Sequence, residues 1–292
     1  MSDSAPVVQL RLPARAENVA LVRQALSGIG DTYPVAPSLL ADMKTAVTEA
    51  CNNVVIHAYP RDEGVLEVDA CPDDRRVAIS VRDYGGGMQP RSVAPDEPSL
   101  GLGLPLIAAL SDRFEIHGGT GRGIEVRMMF WVDEQPGVDE RVDGTITAEA
   151  PEPAWQRTAR AAGVAITPGP MMAPILGRLA AMLAARADFS LDRLSDTVLV
   201  TDAISAHVGS CIPGPHASIS FEDGDGTLDV RVGPLISGGG KRLLETMELP
   251  GLERSLQQLA DEVTVERDDG QAPAEPADEY LLLRLSGGAG AP

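Results

Sequence analysis

The chain has few aromatic residues and few cysteines. Aromatic residues make up 3% of its 292 residues, so leucine, valine, isoleucine, methionine and alanine must form any core. Its three cysteines, Cys51, Cys71 and Cys211, form no Cys-x-x-Cys pair. Three is an odd number, whereas disulfide frameworks and zinc sites use cysteines in pairs or clusters. We therefore expect a protein of a reducing compartment, without a disulfide framework or a structural zinc site.

Basic residues are also scarce. The chain has 24 of them against 43 acidic residues, which gives a formal net charge of -19. Phosphates repel such a chain, so direct nucleic-acid binding and attachment to an anionic membrane are disfavoured. The excess of acid suits a partner with a basic surface, and it equally suits simple solubility. The N-terminal residues lack a basic stretch followed by an apolar run, and no apolar stretch reaches about 18 residues. We expect a cytoplasmic protein.

The length suggests two domains, at roughly 100–200 residues each. Residues 1–131 alternate strand-like and helix-like patterns, and their first segment, residues 7–12, is typical of an edge strand. Residues 132–153 are rich in Asp, Glu, Pro and Gly and indicate a linker. Residues 154–286 repeat the order and spacing of the first unit, so we interpret them as a degenerate copy. Residues 287–292 indicate a flexible tail. The expected fold class is α+β, a two-layer α/β sandwich that occurs twice.

A carboxylate and an amide lie about one helical turn apart in the second predicted helix, residues 38–58. Glu49 and Asn53 are four residues apart, so they project from the same helix face. A carboxylate there is able to take a proton from an attacking hydroxyl group. An amide oxygen is a hard ligand that Mg²⁺ accepts beside water and phosphate. A solvated surface pair has the same spacing, so this pattern alone leaves both interpretations open.

An acidic residue followed by glycines ends a predicted strand further along the chain. Asp83 is followed by Gly85 and Gly87, where the backbone is able to approach a ligand closely. A carboxylate in this place is an acceptor for an exocyclic amine such as N6 of adenine. An ordinary Asp-Gly turn is the alternative interpretation.

A second glycine-rich segment, Gly101-Leu102-Gly103, opens a short predicted helix. Free N–H groups at a helix N-terminus attract phosphate. Two glycines alone are weak evidence for a phosphate site, so the order of the three segments decides their interpretation.

In this order, the three segments resemble the N, G1 and G2 boxes of the Bergerat ATP-binding fold, which is shared by the GHKL ATPase superfamily. The sequences EACNNVVIHAY, DYGGGM and GLGLPLI are most similar to those of anti-sigma-factor serine kinases. The resemblance covers residues 7–131, which is under half of the chain.

The resemblance implies an ATP site that uses Mg²⁺. By it, Glu49 is the catalytic base, Asn53 binds the cofactor and holds Mg²⁺, and Asp83 reads adenine. His57, one turn beyond Asn53, is expected to be structural. The other cofactor-binding positions would shape the adenine pocket and the phosphate lid; they are Gly85, Gly87, Gly101, Leu102 and Gly103.

One position departs from the family pattern. The family usually has a Gly-Thr pair where the last strand begins, and its threonine supports the adenine-reading Asp. Here the pair is Gly123-Ile124, and an isoleucine side chain forms no hydrogen bond. We expect Thr120 or a water molecule to compensate, or nucleotide affinity to be reduced.

The degenerate copy lacks the chemical groups of the first unit. Asp202 and Ala206 stand in place of its carboxylate and amide, and Val232 or Gly233 stands in place of its adenine-reading acid. The glycine-rich segment 237–241 lacks phosphate-loop spacing and indicates a flexible turn. We therefore expect residues 154–286 to bind no ATP.

The resemblance implies a kinase that sequesters a sigma factor and phosphorylates a serine on an anti-anti-sigma partner with a STAS domain. A nucleotide-sensing binding module without kinase activity is the alternative. A histidine kinase is disfavoured because no helix with a phospho-accepting histidine precedes the first box. A gyrase-like or MutL-like ATPase is disfavoured because no transducer domain or basic DNA surface follows. Kinases of this branch generally work as homodimers, so we expect the degenerate copy to pack on the first unit as an intramolecular pseudo-dimer.

Overall fold

The structure is a computed structural model that describes residues 7–59, 63–86, 103–118, 123–132, 161–246, 259–268 and 278–287. Within these residues, ten strands form one sheet with α-helices packed against it. The strands are β1 Val8–Pro13, β2 Val65–Pro72, β3 Arg76–Asp83, β4 Arg113–Gly118, β5 Ile124–Trp131, β6 Ala162–Ile166, β7 Ala217–Gly224, β8 Thr227–Leu235, β9 Glu262–Asp268 and β10 Asp278–Ser286. The helices are α1 Ala16–Thr32, α2 Pro37–Asn53, α3 Gly103–Leu110, α4 Met172–Arg186, α5 Leu191–His207 and α6 Gly239–Thr246.

The sheet order is β4-β5-β3-β2-β1-β6-β7-β8-β10-β9, and the neighbours pair antiparallel. Strand β2 shows why one face of this sheet is covered, since its side chains alternate between half-buried and buried along its whole length. This alternation is typical of an antiparallel sheet that packs one face on helices. The predicted α+β class is confirmed.

Helix α2 begins at a proline and ends earlier than its apolar pattern predicts. Pro37 is the first helical residue and Ala36 is the N-cap, whereas the sequence predicts a helix that begins at residue 38. Proline is favourable in the first turn because the N–H group that it lacks has no partner there. The α-helical part ends at Asn53, and a segment of π-helix, Val54–Ala58, follows it.

Strand β1 lies at the centre of the sheet, so the prediction of an edge strand is wrong. It pairs with β2 on one side and with β6 on the other, where Leu10 lies opposite Val164. The second pairing joins segments far apart in the chain, so a local pattern of alternation does not reveal it. Strand β6 is buried along its whole length.

Helices α1 and α4 pack against each other beside the β1–β6 pair, and we call these two contacts together the seam. At Gly28 the helices are so close that an added Cβ atom would lie 2.7 Å from the Ile175 Cγ1 atom. Arg178 of α4 forms an ion pair of 2.7 Å with Asp31 of α1. The Arg186 guanidinium donates to the Asn18 side chain at 3.0 Å.

The elements on either side of the seam occur in the same order. We call residues 7–132 the first half and residues 161–287 the second half. Each half has a strand, two helices, a strand pair, a helix and a second strand pair, and the sheet order is mirrored about the seam. This repeat of element order is what the predicted duplication requires, and the duplication itself stays a prediction. Apart from Val132 and Gly287, the predicted linker and tail lie outside the described residues.

The glycine-rich segment 237–241 is not a flexible turn throughout, because it contains the start of α6, Gly239–Thr246. The sequence also predicts a helix over residues 252–259, directly before β9. That stretch lies outside the described residues apart from Leu259, which is helical. Across the described part of the chain, no helix has the length and apolar character needed to span a membrane.

Candidate functional site

The end of α2 carries the first two site residues. The helix turns an apolar stripe toward the core, formed by Met43, Ala46, Val47, Ala50 and Cys51. Glu49 and Asn53 lie off this stripe, are half-buried, and are separated by about one turn. The helix therefore holds a carboxylate and an amide side by side at the margin of the core.

The π-helical segment Val54–Ala58 begins directly after Asn53. Wider helical turns of this kind are rare and occur frequently at functional sites, where they change the direction of neighbouring side chains. Its sequence, Val-Val-Ile-His-Ala, carries no signal that separates it from an ordinary helix, so sequence reasoning missed it. His57 is exposed on this segment.

Helix α3 begins beside Glu49 and Asn53. A Cβ atom added at Gly103 would lie 3.5 Å from both the Asn53 Nδ2 and the Glu49 Oε2 atoms. The start of α3 thus faces the carboxylate and the amide, and the role of Gly103 in a phosphate lid stays a prediction. Free N–H groups at a helix start and an amide oxygen together suit a phosphate group with its magnesium ion. Gly101 and Leu102 lie outside the described residues.

Asp83 ends β3 as a buried carboxylate, with 4% of its surface exposed. Its Oδ1 atom accepts the Gly85 N–H at 2.8 Å, and the carboxylate also accepts the Ile124 N–H. Burial raises the pKa of Asp83, while these two N–H groups oppose the rise. A buried acceptor held by backbone donors is suited to a further donor from a ligand.

Ile124, which stands where the family usually has a threonine, donates its backbone N–H to Asp83. The isoleucine side chain is half-buried against the core, and its backbone rather than its side chain supports Asp83. The expectation that Thr120 or water compensates for the missing threonine, or that nucleotide affinity is reduced, stays a prediction. Thr120 and Gly87 lie outside the described residues.

Two glycines bring backbone close to Asp83. An added Cβ atom at Gly85 would lie 2.1 Å from the Ala58 carbonyl oxygen, and one at Gly123 would lie 2.1 Å from the Asp83 carbonyl oxygen. Gly123 also has a φ of 71°, a conformation that side chains disfavour. The Gly123 N–H donates to the Gly85 carbonyl oxygen at 3.2 Å. These positions therefore exclude any larger residue without a shift of the backbone around the acid.

Tyr59 fastens the π-helical segment to the sheet next to Asp83. Its hydroxyl group donates to the Val65 carbonyl oxygen at 2.8 Å and accepts the Tyr84 N–H at 2.8 Å. The sequence contains this residue at the end of the EACNNVVIHAY segment, but its spacing gave no reason to assign it a role. The contact links the helix that carries Asn53 to the strand that carries Asp83.

Known proteins resemble this part of the chain. Residues 12–130 match the histidine kinase-like ATPase domain family. The chain is 34% identical over 126 residues to the serine-protein kinase RsbW of Bacillus thuringiensis (strain Al Hakam), which covers 39% of this chain and 79% of that protein. It is 32% identical over 133 residues to the serine-protein kinase RsbW of Bacillus mycoides (strain KBAB4), which covers 41% of this chain and 83% of that protein.

The chain belongs to the RsbW-like anti-sigma kinases of the GHKL superfamily. The match ends at residue 130, so the second half lies outside it. Equivalent positions in the two halves therefore follow from the structure and not from the family match.

The strand pairings across the seam show which positions of the two halves are equivalent. The paired residues along one line across the sheet are Val81, Val68, Leu10, Val164, Ile219 and Val232. Val81 therefore corresponds to Val232. Beyond Val232 the two halves differ, because β8 has no further pairing with β7 and its pairing with β10 shifts register. That Val232 or Gly233 stands in the place of Asp83 stays a prediction.

Helix α5 corresponds to α2, and their buried faces fix the alignment. Both helices begin one residue after an extended N-cap residue, Ala36 in α2 and Ser190 in α5. Buried residues then coincide when Met43, Ala46, Val47 and Ala50 are aligned with Thr197, Val200, Thr201 and Ile204.

The same alignment places Ala203 and His207 opposite Glu49 and Asn53. The sequence alignment pairs Asp202 and Ala206 with these residues instead, and it brings buried Ala203 and Ile204 opposite buried Ala50 and Cys51. That alignment stays a prediction. In either alignment the second half has no amide opposite Asn53.

Proposed function

We propose that the first half binds ATP with Mg²⁺ and transfers its terminal phosphoryl group to a serine of an anti-anti-sigma partner, while the chain sequesters a sigma factor. The observation that carries this proposal is the convergence of Glu49, Asn53 and the start of α3. The buried Asp83 at the end of β3 supports it.

Each residue has a role in this proposal that follows from its chemistry. Asp83 accepts a hydrogen bond from the adenine amine, because its carboxylate is buried and already oriented by two backbone donors. Asn53 supplies an oxygen to Mg²⁺, which neutralises charge on the phosphates. The N–H groups at the start of α3 hold the phosphates. Glu49 accepts the proton of the serine hydroxyl group while the serine oxygen attacks the terminal phosphorus of ATP and ADP leaves.

The seam supports a role for the second half as the partner of the first. Kinases of the family that the chain resembles generally act as homodimers, and here β6 and α4 contact β1 and α1 within one chain. We infer an intramolecular pseudo-dimer in which the sigma factor contacts both halves. The net charge of -19 suits a sigma factor with a basic surface.

The proposal is tested by incubating the purified chain with [γ-³²P]ATP, Mg²⁺ and candidate STAS-domain proteins of its host. We expect label on one partner, and no label when the acceptor serine of that partner is changed to alanine. The Glu49→Ala variant provides a catalytic control, and Asp202→Ala provides a matched acidic control on α5. Label that is equally strong with Glu49→Ala would contradict the assigned base.

Ile124 favours one alternative, a nucleotide-sensing module without phosphoryl transfer, because it replaces the threonine that the family generally uses near the adenine-reading acid. This alternative keeps Asp83 and loses the kinase activity. Nucleotide binding that depends on Asp83, together with no labelling of a partner that binds the chain, would favour it over the kinase.

A further inference from the structure

The hydroxyl group of Tyr59 lies between the ends of two neighbouring strands. It donates to the carbonyl oxygen of Val65, the first residue of β2, and it accepts the N–H of Tyr84, which directly follows β3. In the pairing of these strands, Leu66 lies opposite Asp83. One oxygen atom therefore joins the two strands at the point where β3 presents its buried carboxylate.

The segment that follows β3, residues 84–86, also contacts the end of the π-helical segment through its backbone. The Gly86 N–H donates to the Ala58 carbonyl oxygen at 3.4 Å. Between these contacts, the Gly85 N–H donates to the Asp83 carboxylate at 2.8 Å. The residue that orients the carboxylate is thus flanked on both sides by residues that the π-helical segment and Tyr59 hold.

The ring of Tyr59 has little room to move. It is half-buried, and a Cβ atom added at Gly64 would lie 2.1 Å from its Cδ2 atom. Burial raises the pKa of Tyr59, the charges of Asp83 and Glu67 raise it further, and its two hydrogen bonds oppose the rise. The hydroxyl group therefore keeps its proton at neutral pH and is able to donate it to the Val65 carbonyl oxygen.

A short helical connection separates Tyr59 from the magnesium end of the candidate site. Five π-helical residues, Val54–Ala58, follow Asn53 and lead to Tyr59, and both end residues of this segment are buried. Packed residues transmit a displacement because the protein interior leaves them little free volume. The distance between Asn53 and Asp83 is therefore set by this segment together with the hydrogen bonds of Tyr59.

We propose that Tyr59 is a positioning residue of the nucleotide site, whose hydroxyl group holds the end of β3 so that Asp83 meets the exocyclic amine of adenine. This inference rests on the proposed function, because it assigns Tyr59 to the recognition of a base. Tyr59 acts through the Tyr84 backbone and not by contact with the nucleotide. Its loss should therefore impair recognition of the amine and leave the binding of phosphate and Mg²⁺ intact.

The test compares two nucleotides that differ only at the amine. Tyr59→Phe removes one oxygen atom, and its affinity for ATP and for purine riboside triphosphate, which lacks the exocyclic amine, is measured by calorimetric titration with Mg²⁺. Binding of ATP should weaken about 2- to 10-fold, the effect of one hydrogen bond, and binding of the analogue should stay at the parental value. Tyr33→Phe removes the same atom from a half-buried tyrosine after α1 and is the matched control.

An equal loss of affinity for both nucleotides in Tyr59→Phe would show a general packing role and would overturn the proposal. So would the same change in Tyr33→Phe. In a chain that already carries Asp83→Ala, Tyr59→Phe should weaken ATP binding no further, because the group that it positions is absent. Losses that add in the double variant would also overturn the proposal.

A second measurement uses the full chain without nucleotide. Amide hydrogen exchange of Tyr84, followed by NMR, should become about 2- to 10-fold faster in Tyr59→Phe and stay unchanged in Tyr33→Phe. Unchanged exchange in Tyr59→Phe would overturn the proposal. Absence of nucleotide binding by the parent would contradict the proposed function and this inference together, whereas parental discrimination between the two nucleotides in Tyr59→Phe would overturn the role of Tyr59 alone.

Discussion

The first and second halves use the same order of strands and helices, but they place different side chains where the first half has its candidate site. The first half buries a carboxylate, Asp83, and sets Glu49 and Asn53 beside a helix start. In the second half, neither alignment of α5 with α2 places an amide opposite Asn53. Both halves nevertheless share one sheet with mirrored order.

The difference teaches which residues the fold requires and which it does not. The equivalent positions that remain apolar in both halves are those of the central strands, as in Leu10 and Val164. A buried carboxylate such as Asp83 disfavours folding, because burial raises its pKa and costs hydration.

The largest effect should separate the two halves by catalysis. Glu49→Ala should slow phosphoryl transfer to the cognate partner by about 10²–10⁴-fold, the usual contribution of a general base, with nucleotide affinity kept. Asp202→Ala in the second half should leave the rate unchanged. Rates measured with labelled ATP check both variants, and a parental rate in Glu49→Ala would assign the base to another group.

The next effect concerns nucleotide binding. Asp83→Ala removes a buried acceptor, which costs about 1–3 kcal/mol and weakens affinity roughly 5- to 150-fold. A calorimetric titration should show that this variant loses the whole binding signal of the chain at moderate nucleotide concentration. A residual tight site would mean that the second half also binds nucleotide, and an unchanged affinity would remove Asp83 from the adenine site.

Two glycines inside helices test how closely α1 and α4 approach each other at the seam. Gly28→Ala should destabilise the chain by about 1–3 kcal/mol, because its new Cβ atom would lie 2.9 Å from the Ile175 backbone nitrogen as well as close to its side chain. Gly177→Ala is the matched variant in α4, where the nearest atom is 3.6 Å away. It should stabilise by about 0.5–1 kcal/mol, since alanine favours a helix. Denaturant unfolding measures both, and equal effects would contradict the close contact at Gly28.

An acidic residue of the first half should give the two halves a different dependence on pH. Burial raises the pKa of Asp69 to about 6, and the corresponding residue on β7 is Ser220. A raised pKa means that the stability from its protonated form is present at about pH 4 and is lost as the pH rises through about 6.

Asp69→Asn should remove this dependence. Relative to the parent, it should gain about 1–2 kcal/mol of unfolding free energy between pH 4 and pH 7, measured by denaturant unfolding at both values. Ser220→Ala is the matched control and should show no such change with pH. An equal difference between Asp69→Asn and the parent at both pH values would contradict the raised pKa.

The smallest expected effect comes from restoring the threonine that the family pattern has near Asp83. Ile124→Thr should tighten nucleotide binding by about 0.5–1.5 kcal/mol, the net contribution of one hydrogen bond. The gain is opposed by lost packing, because the isoleucine side chain contacts the core. Nucleotide titration checks it, and weaker binding would mean that packing outweighs the new bond.

The residues of the candidate site could be predicted from the sequence because they occur in short segments. The four-residue spacing of Glu49 and Asn53 and the position of Asp83 at a strand end are local patterns, and the structure places them as those patterns indicate. The backbone donor at Ile124 could not be predicted, because a missing side-chain hydroxyl group says nothing about the N–H group of the same residue.

The parts that sequence reasoning missed depend on distant contacts. Strand β1 looks like an edge strand until β6 is known to pair with it. The glycine-rich start of α6 looks like a flexible turn, because the carboxylate that accepts its N–H groups comes from Glu279 on β10, the last strand in the chain.

The covalent connection across the seam changes how assembly depends on the amount of protein. A pair made from two separate chains comes apart on dilution, and at low concentration its abundance varies with the square of the chain number. Here β1 and β6 belong to one chain, and a tether keeps such partners at an effective concentration of about millimolar. Assembled seams should therefore vary in direct proportion to the number of chains that the cell makes, even at a few copies per cell.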